Sequence, residues 1–322
     1  MKIKLKQVLY VILPLAILSS CKNEKKSEPI EEVAIEVEEA IKAPSNVIDI
    51  LTTSMEFQMA DTITSGWNTF KYENRSNEAH FFLLGKYPEG KTEEHTKTEI
   101  APVFGAGMDL INAGKAEEGF AEFAKLPAWY GDIVFSGGSG LIAARHTAIT
   151  TIKLDPGYYV MECYVKMPNG KFHSLMGMAK ALIVTAKDSG HTPPEPTINI
   201  TLSGEEGISY DQDITKGEHV FSVFVKDQKP HENFIWHDIN LVKLDDTANL
   251  EALEAWMDWS NPKGLVTPVP EGITFLGGVN DMSAGSQGFF TATLEPGRYA
   301  FISEVPNTIS KGLLKEFRVL EN

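Results

Sequence analysis

The residues best able to do chemistry lie in one segment, Leu154 to Met178, LDPGYYVMECYVKMPNGKFHSLMGM. Cys163 is followed by His173 ten positions on, and by Met178 five positions after that. A thiolate, an imidazole and a thioether delivered by one loop form a donor set for a soft metal. Two His, one Cys and a weak axial Met is the arrangement that suits copper. The second imidazole must come from elsewhere. Upstream, FKYENRSNEAHFF sets His80 at the end of a polar turn that leads into Phe81-Phe82-Leu83-Leu84. Met176 competes with Met178 for the axial place. Zinc is the next metal to consider, but it prefers four strong N, S or O donors and makes little use of Met. Taken singly, each residue has a plainer role, since a lone Cys packs as a small hydrophobe and Met fills gaps. The ordered set is what points to a metal.

This arrangement resembles the cupredoxin family, the blue copper proteins and their multidomain relatives. There, one His follows an Asn-containing turn on an early strand, and Cys, His and Met follow on the loop joining the last two strands. The resemblance implies that His80, Cys163, His173 and Met178 are the ligands of one copper ion of the type 1 kind. The lead-in Leu154-Asp155-Pro156-Gly157-Tyr158-Tyr159 is also typical of cupredoxin-like domains. The Cys-to-His gap is wider than in small cupredoxins and closer to that of copper oxidase and nitrite reductase domains. The His-to-Met gap matches plastocyanin-like sites. The resemblance also implies that the loop His, here His173, reaches the surface inside an apolar patch, flanked by Phe172, Leu175 and Met176, where electrons pass.

Positioning such a site calls for a sheet scaffold, and the chain is long enough for two domains. It has 322 residues, with 43% hydrophobic residues to fill real cores. The formal net charge is −15, and the first twenty residues carry Lys2, Lys4 and Lys6 without an acid, so the remainder is more acidic still. That balance argues against nucleic acid as a partner and suits a redox partner protein presenting a basic patch. Residues 1–20 resemble a signal peptide, with a basic start and an apolar run from Val8 to Leu18. Leu18-Ser19-Ser20-Cys21 looks like a bacterial lipobox, which implies lipidation of Cys21 and a membrane anchor. Lys22 after the cysteine points, by analogy with enteric bacteria, to the outer membrane of the cell envelope. With Cys21 so engaged, Cys163 has no cysteine partner in the chain, and metal ligation or deep burial would protect its thiol.

The rest of the chain reads as a tether and a duplication. Residues 21–46 are charge-rich and end in Ala-Pro-Ser, as a flexible tether would. Residues 47–186 alternate short strand patterns with polar turns, broken by a helical segment from Thr92 to about Leu126. Within them, Phe135 to Gly140 reads as a glycine-rich turn. Residues 187–196 form a Pro-rich linker, and residues 197–322 repeat the plan with a shorter helical insert, Ala248 to Trp259. Leu294-Glu295-Pro296-Gly297-Arg298-Tyr299 matches the first lead-in without a gap and sets Ser303 opposite Cys163. His231 or His237 stands opposite His80, but no His or Met follows Ser303 at the right spacing, so this second site is degenerate. The expected fold is all-β: two cupredoxin-like antiparallel β-sandwich domains with short helical insertions.

The function expected on these grounds is one-electron transfer by a lipid-anchored copper protein of the cell envelope. Copper storage, delivery or sensing is the alternative, and a metal-free sandwich that binds a protein or glycan is a third. Multicopper oxidases and copper nitrite reductases carry extra His-x-His motifs for a second copper centre, and this chain has none. The expectation is therefore of a protein that is not an enzyme.

Overall fold

The computed structural model describes residues 47–232 and 235–321. The expected signal peptide, Cys21 and the tether lie outside the described residues. In the first half the strands are β1 (Val47–Thr52), β2 (Thr62–Asn74), β3 (His80–Lys86), β4 (Val134–Ile142), β5 (Thr147–Leu154), β6 (Gly157–Glu162) and β7 (Ala179–Asp188). In the second half they are β8 (Ile198–Ser203), β9 (Gly207–Tyr210), β10 (Gly217–Val225), β11 (Ile239–Leu244), β12 (Ile273–Val279), β13 (Gln287–Leu294), β14 (Gly297–Ile302) and β15 (Leu314–Val319). Among the described residues strand thus far outweighs helix, and the helices are few and short.

Two sheets result. One runs β1-β2-β5-β13-β10-β8-β9, the other β15-β14-β11-β12-β4-β3-β6-β7. Pairing is antiparallel except where β1 and β7 flank β2 and where β8 flanks β10. The start of β2 pairs with β7 in the second sheet, and the remainder pairs with β5 in the first. The crossing falls at a register shift beside Gly66, whose φ of 88° an L side chain rarely adopts. The sheets face each other through their aromatic residues. Phe70 and Tyr72 of β2 meet Phe82 of β3, with ring centroids 5.3 and 5.8 Å apart, and Phe221 of β10 meets Phe301 of β14 at 5.8 Å. All are fully buried; along β2 their neighbours turn towards solvent, whereas on β3 and β14 the flanking residues are buried too.

The halves follow one plan, and equivalent strands meet each other at the seams. On β4 and β12, Ser139 stands opposite Val279 and Ile142 opposite Leu276, and the bridge Ser136–Met282 mirrors the latter pair. On β5 and β13, Thr150 stands opposite Phe290, while Thr151–Phe289 and Ile149–Thr291 are mirror pairs. A local twofold axis therefore passes through both seams. The repeated Leu-x-Pro-Gly-x-Tyr lead-ins also have a common physical role. Tyr159 and Tyr299 are buried and donate their hydroxyls to the carbonyls of Asp155 and Glu295, at 2.8 and 2.9 Å. Each ties the turn before its strand to the strand itself.

The glycine-rich stretch Phe135 to Gly140 is not a turn. It lies within β4, and its counterpart around Gly277 and Gly278 lies within β12. Glycine composition suggested a loop, but here it serves close strand approach. A methyl group on Gly138 would overlap the Phe82 carbonyl of β3, and one on Gly278 would overlap the Ile239 carbonyl of β11.

Helices fill the segment between β3 and β4, chiefly Ala101–Asn112 and Ala116–Glu122. A smaller helix, Leu250–Met257, occupies the equivalent place in the second half, with Asn249 capping it through the Ala252 amide at 2.8 Å.

Candidate metal centre

Three buried side chains converge: His80, Cys163 and His173. His80 opens β3, where the preceding turn is locked by Asn74. The Asn74 side chain accepts from the amide and hydroxyl of Ser76, at 3.0 and 2.7 Å, and donates to the Glu78 carbonyl at 2.8 Å. Cys163 follows β6, and its amide donates to the Met178 carbonyl at 3.2 Å. The loop between them doubles back on itself. Lys166 and Phe172 form a bridge around a turn at Asn169 and Gly170, and the His173 amide donates to the Val165 carbonyl at 2.8 Å. This small hairpin accounts for the wide Cys-to-His gap, because its residues return the chain to Cys163.

Helices and the second half hold the hairpin down. Asn112 at the end of Ala101–Asn112 donates to the Gly170 carbonyl at 3.3 Å. Phe172 packs on Phe104 and Trp259, with centroids 6.4 and 5.8 Å away. Lys166 is fully buried and donates to the carbonyls of Trp259 and Asn261, both at 2.8 Å. Burial pulls the pKa of this lysine down to about 8.

His80 Nδ1 and His173 Nδ1 are 3.2 Å apart, and Cys163 Sγ lies 3.8 and 3.7 Å from them respectively. The point equidistant from the corners of this triangle lies about 2.1 Å from each, the range of metal bonds to imidazole nitrogen and close to that for thiolate sulfur. Burial favours neutral rings. It lowers the pKa of His80 to about 4, and burial together with neighbouring His80 lowers that of His173 to about 3. Burial also pushes the Cys163 thiol up to about 12, so a metal must displace its proton. Two neutral imidazoles facing each other through Nδ1 share at most a proton between them, and His80 Nε2 is buried with no hydrogen-bond partner among the described residues. Such a donor set fits a soft metal ion better than it fits a hydrogen-bond network.

The methionines divide. Met178 is fully buried, and its amide donates to the His173 carbonyl at 3.0 Å, so its backbone joins Cys163 and His173. Met176 is 50% exposed. His173 does not reach the surface as the family resemblance implied. It is fully buried, Phe172 is buried beside it, and Leu175 packs by the helix at Gly105, because the helical segment covers this end of the sandwich. Of the apolar residues expected around an exposed His, only Met176 is open to solvent to this degree.

In the second half the register sets Ser303 where Cys163 stands. The Ser303 hydroxyl accepts the Asp238 amide at 3.1 Å, as the Cys163 sulfur accepts the Phe81 amide. His237 takes the place of His80, but protein partners satisfy it. Its Nε2 lies 2.7 Å from the Asp227 carbonyl, and its Nδ1 lies 3.2 Å from Nε2 of His231. Among the remaining histidines, His95 caps a helical turn through Thr92, His146 bonds the Ala144 carbonyl, and His219 bonds Thr197 and the Thr215 carbonyl.

An acidic chain is expected to keep most of its carboxylates solvated at the surface. Asp238, Asp281 and Glu304 are instead buried. Burial raises all three carboxyl pKa values, that of Asp238 to about 6. Tyr164, next to Cys163, donates to Glu304 at 3.1 Å. Glu78 also went unremarked. Its Oε2 lies 3.1 Å from His173 Nε2, and the signal was its place two residues before His80.

No family model matches the chain, and no curated protein matches its sequence. Solved structures do match it. Auracyanin A, a blue copper protein from Chloroflexus aurantiacus, is 20% identical over 43% of this chain and 98% of its own, with a TM-score of 0.27. A multicopper oxidase is 12% identical over 85% of this chain and 87% of its own, with a TM-score of 0.22. The copper-containing nitrite reductase of Thermus scotoductus is 10% identical over 85% of this chain and 61% of its own, also at 0.22. The fold is an all-β sandwich. It holds a buried His–Cys–His group, with the Cys-to-Met loop joining β6 to β7. The expectation that the chain is not an enzyme is withdrawn; the matched structures bear the names of multicopper oxidases and a copper-containing nitrite reductase as well as blue copper proteins. The missing His-x-His motif spoke only to one kind of second copper centre.

Proposed function

We propose that this protein binds one copper ion through His80, Cys163 and His173, with Met178 as a weaker fourth donor, and that it exchanges single electrons with a partner protein. The observation that carries this proposal is the buried triangle of two neutral imidazoles and one thiol. Bound there, copper supplies a couple that takes up and gives back one electron. The chain's own part is to hold the donors still. Strand pairing fixes His80, the β6–β7 junction fixes Cys163 and Met178, and the hairpin fixes His173, so little need rearrange as charge changes. Burial excludes water and competing ligands.

Titrating copper(II) into the metal-free full chain should produce an intense visible thiolate-to-copper absorption that saturates at one equivalent. A colourless copper-loaded protein would overturn the proposal. Storage or delivery is the second reading, and the covered His173 favours it, because no ligand edge is open for contact with a redox partner. Copper retained through repeated reduction and reoxidation supports electron transfer, and copper lost on reduction supports delivery.

We further infer attachment to the outer membrane through lipidated Cys21, on the basis of Leu18-Ser19-Ser20-Cys21 and the acidic segment after it. No helix among the described residues is long and apolar enough to cross a membrane. Wild type expressed in a lipoprotein-processing bacterium should partition into detergent, and Cys21→Ser should remain in the aqueous phase. Identical partitioning would remove the anchor from this account.

A further inference from the structure

Each candidate ligand imidazole has a second nitrogen, and for His173 that nitrogen has a neighbour. His173 Nε2 and Glu78 Oε2 lie 3.1 Å apart, both buried, and neither makes a hydrogen bond among the described residues, so each is the nearest group able to answer the other. A neutral imidazole carries one N–H, and its position decides which nitrogen can bind a metal. On the Nδ1 side stand the Cys163 sulfur and His80 Nδ1. On the Nε2 side stands the carboxylate.

Glu78 is well placed for this duty. Its amide donates to the Ser76 hydroxyl at 3.1 Å, and its carbonyl accepts from Asn74 at 2.8 Å, so the turn that delivers His80 also fixes the carboxylate. The second half offers an internal comparison. Leu83 faces Gly138 and Glu162 as Asn240 faces Gly278 and Ile302, a register that makes His237 the counterpart of His80 and Ile235 that of Glu78. Where Cys163 has become Ser303 and the loop His is gone, the acid has become a buried isoleucine. A partly buried carboxylate is costly unless it has a partner to answer, and at this position of the repeat it occurs only in the half that holds His173.

We propose that Glu78 is the positioning residue of His173: its carboxylate accepts the Nε2–H and so leaves the Nδ1 lone pair facing Cys163 and His80. Outer-shell partners of this kind orient the ring and strengthen it as a ligand. This inference rests on the copper proposal for its consequence, but its first test needs no metal.

In the metal-free full chain, nitrogen NMR of the histidine rings should show His173 as the Nε2–H tautomer. Glu78→Ala should lose or mix that tautomer without changing the unfolding midpoint in proportion. With copper, Glu78→Ala should weaken binding by about 10–100-fold and shift the visible band and the reduction potential. Glu78→Gln, whose amide oxygen can still accept the N–H, should recover most of the affinity while keeping a shifted potential, because the negative charge is gone. An Nδ1–H tautomer in the wild type overturns the proposal. So does a Glu78→Ala protein whose tautomer, affinity and potential all match wild type. A wild type that shows the Nε2–H tautomer but takes up no copper sinks the electron-transfer reading and leaves the positioning role supported.

Discussion

Cys163→Ser should abolish the visible band of the copper-loaded protein and weaken copper binding by more than about 100-fold, since a neutral hydroxyl replaces the one anionic donor. It should do so without unfolding the sandwich. In the metal-free chain the thiol is neutral, because burial holds its pKa near 12, so the substitution removes no buried charge. The backbone amides that approach the sulfur can be accepted by a hydroxyl instead, as Ser303 shows in the second half at 3.1 Å. Thermal unfolding of the metal-free variant should therefore stay close to that of wild type. The same proton gives the pH dependence its sign. Both imidazoles are neutral above about pH 5, given pKa values near 4 and 3, so binding releases the thiol proton alone. Apparent affinity for copper should then rise about tenfold per pH unit in wild type and lose that slope in Cys163→Ser. A variant that keeps the band, or a wild-type affinity that is flat with pH, would remove Cys163 from the donor set.

Gly138→Ala is expected to be among the most damaging small substitutions in the fold. The added methyl meets the Phe82 carbonyl of β3, a backbone atom that cannot swing aside, and the φ of 156° adds a conformation that alanine disfavours. Either β4 separates from β3 or the pair shifts, and β3 carries His80. A loss of about 3 kcal/mol or more follows, read as a fall of roughly 5–10 °C in the unfolding midpoint. Copper uptake should fall with it. Ala at Gly90, which has open space around it in a surface turn, serves as the control for a positive φ without a clash. An unchanged midpoint for Gly138→Ala would mean that β3 and β4 are not held this closely.

How much of this was legible beforehand depends on whether a property is local. The convergence of His80, Cys163 and His173 was readable because His and Cys are scarce in this chain and their order is distinctive. The duplication was readable because Leu-x-Pro-Gly-x-Tyr is rigid chemistry repeated intact. Phe135 to Gly140 was misread because glycine has two uses, turning and close approach, and only the neighbouring strand reveals which one applies. The burial of His173 was hidden for a similar reason, since Phe104 and Trp259, which pack over its neighbour Phe172, are distant in sequence. Glu78, Asp238, Asp281 and Glu304 looked like surface acids because composition counts charges without locating them.

The matching seams have a further consequence. A pair of surfaces that meet through equivalent residues about a twofold axis is self-complementary, which is how two identical chains associate as a closed dimer. One copy of the repeat would have met a second copy across this same pair of sheet edges, Ser139 to Val279 and Thr150 to Phe290. Joining the copies in one chain replaces an encounter in solution with a fixed, high effective concentration. It also frees them from identity: a homodimer must carry each substitution twice, whereas the fused chain can keep Cys163 and Glu78 on one side and hold Ser303 and Ile235 on the other.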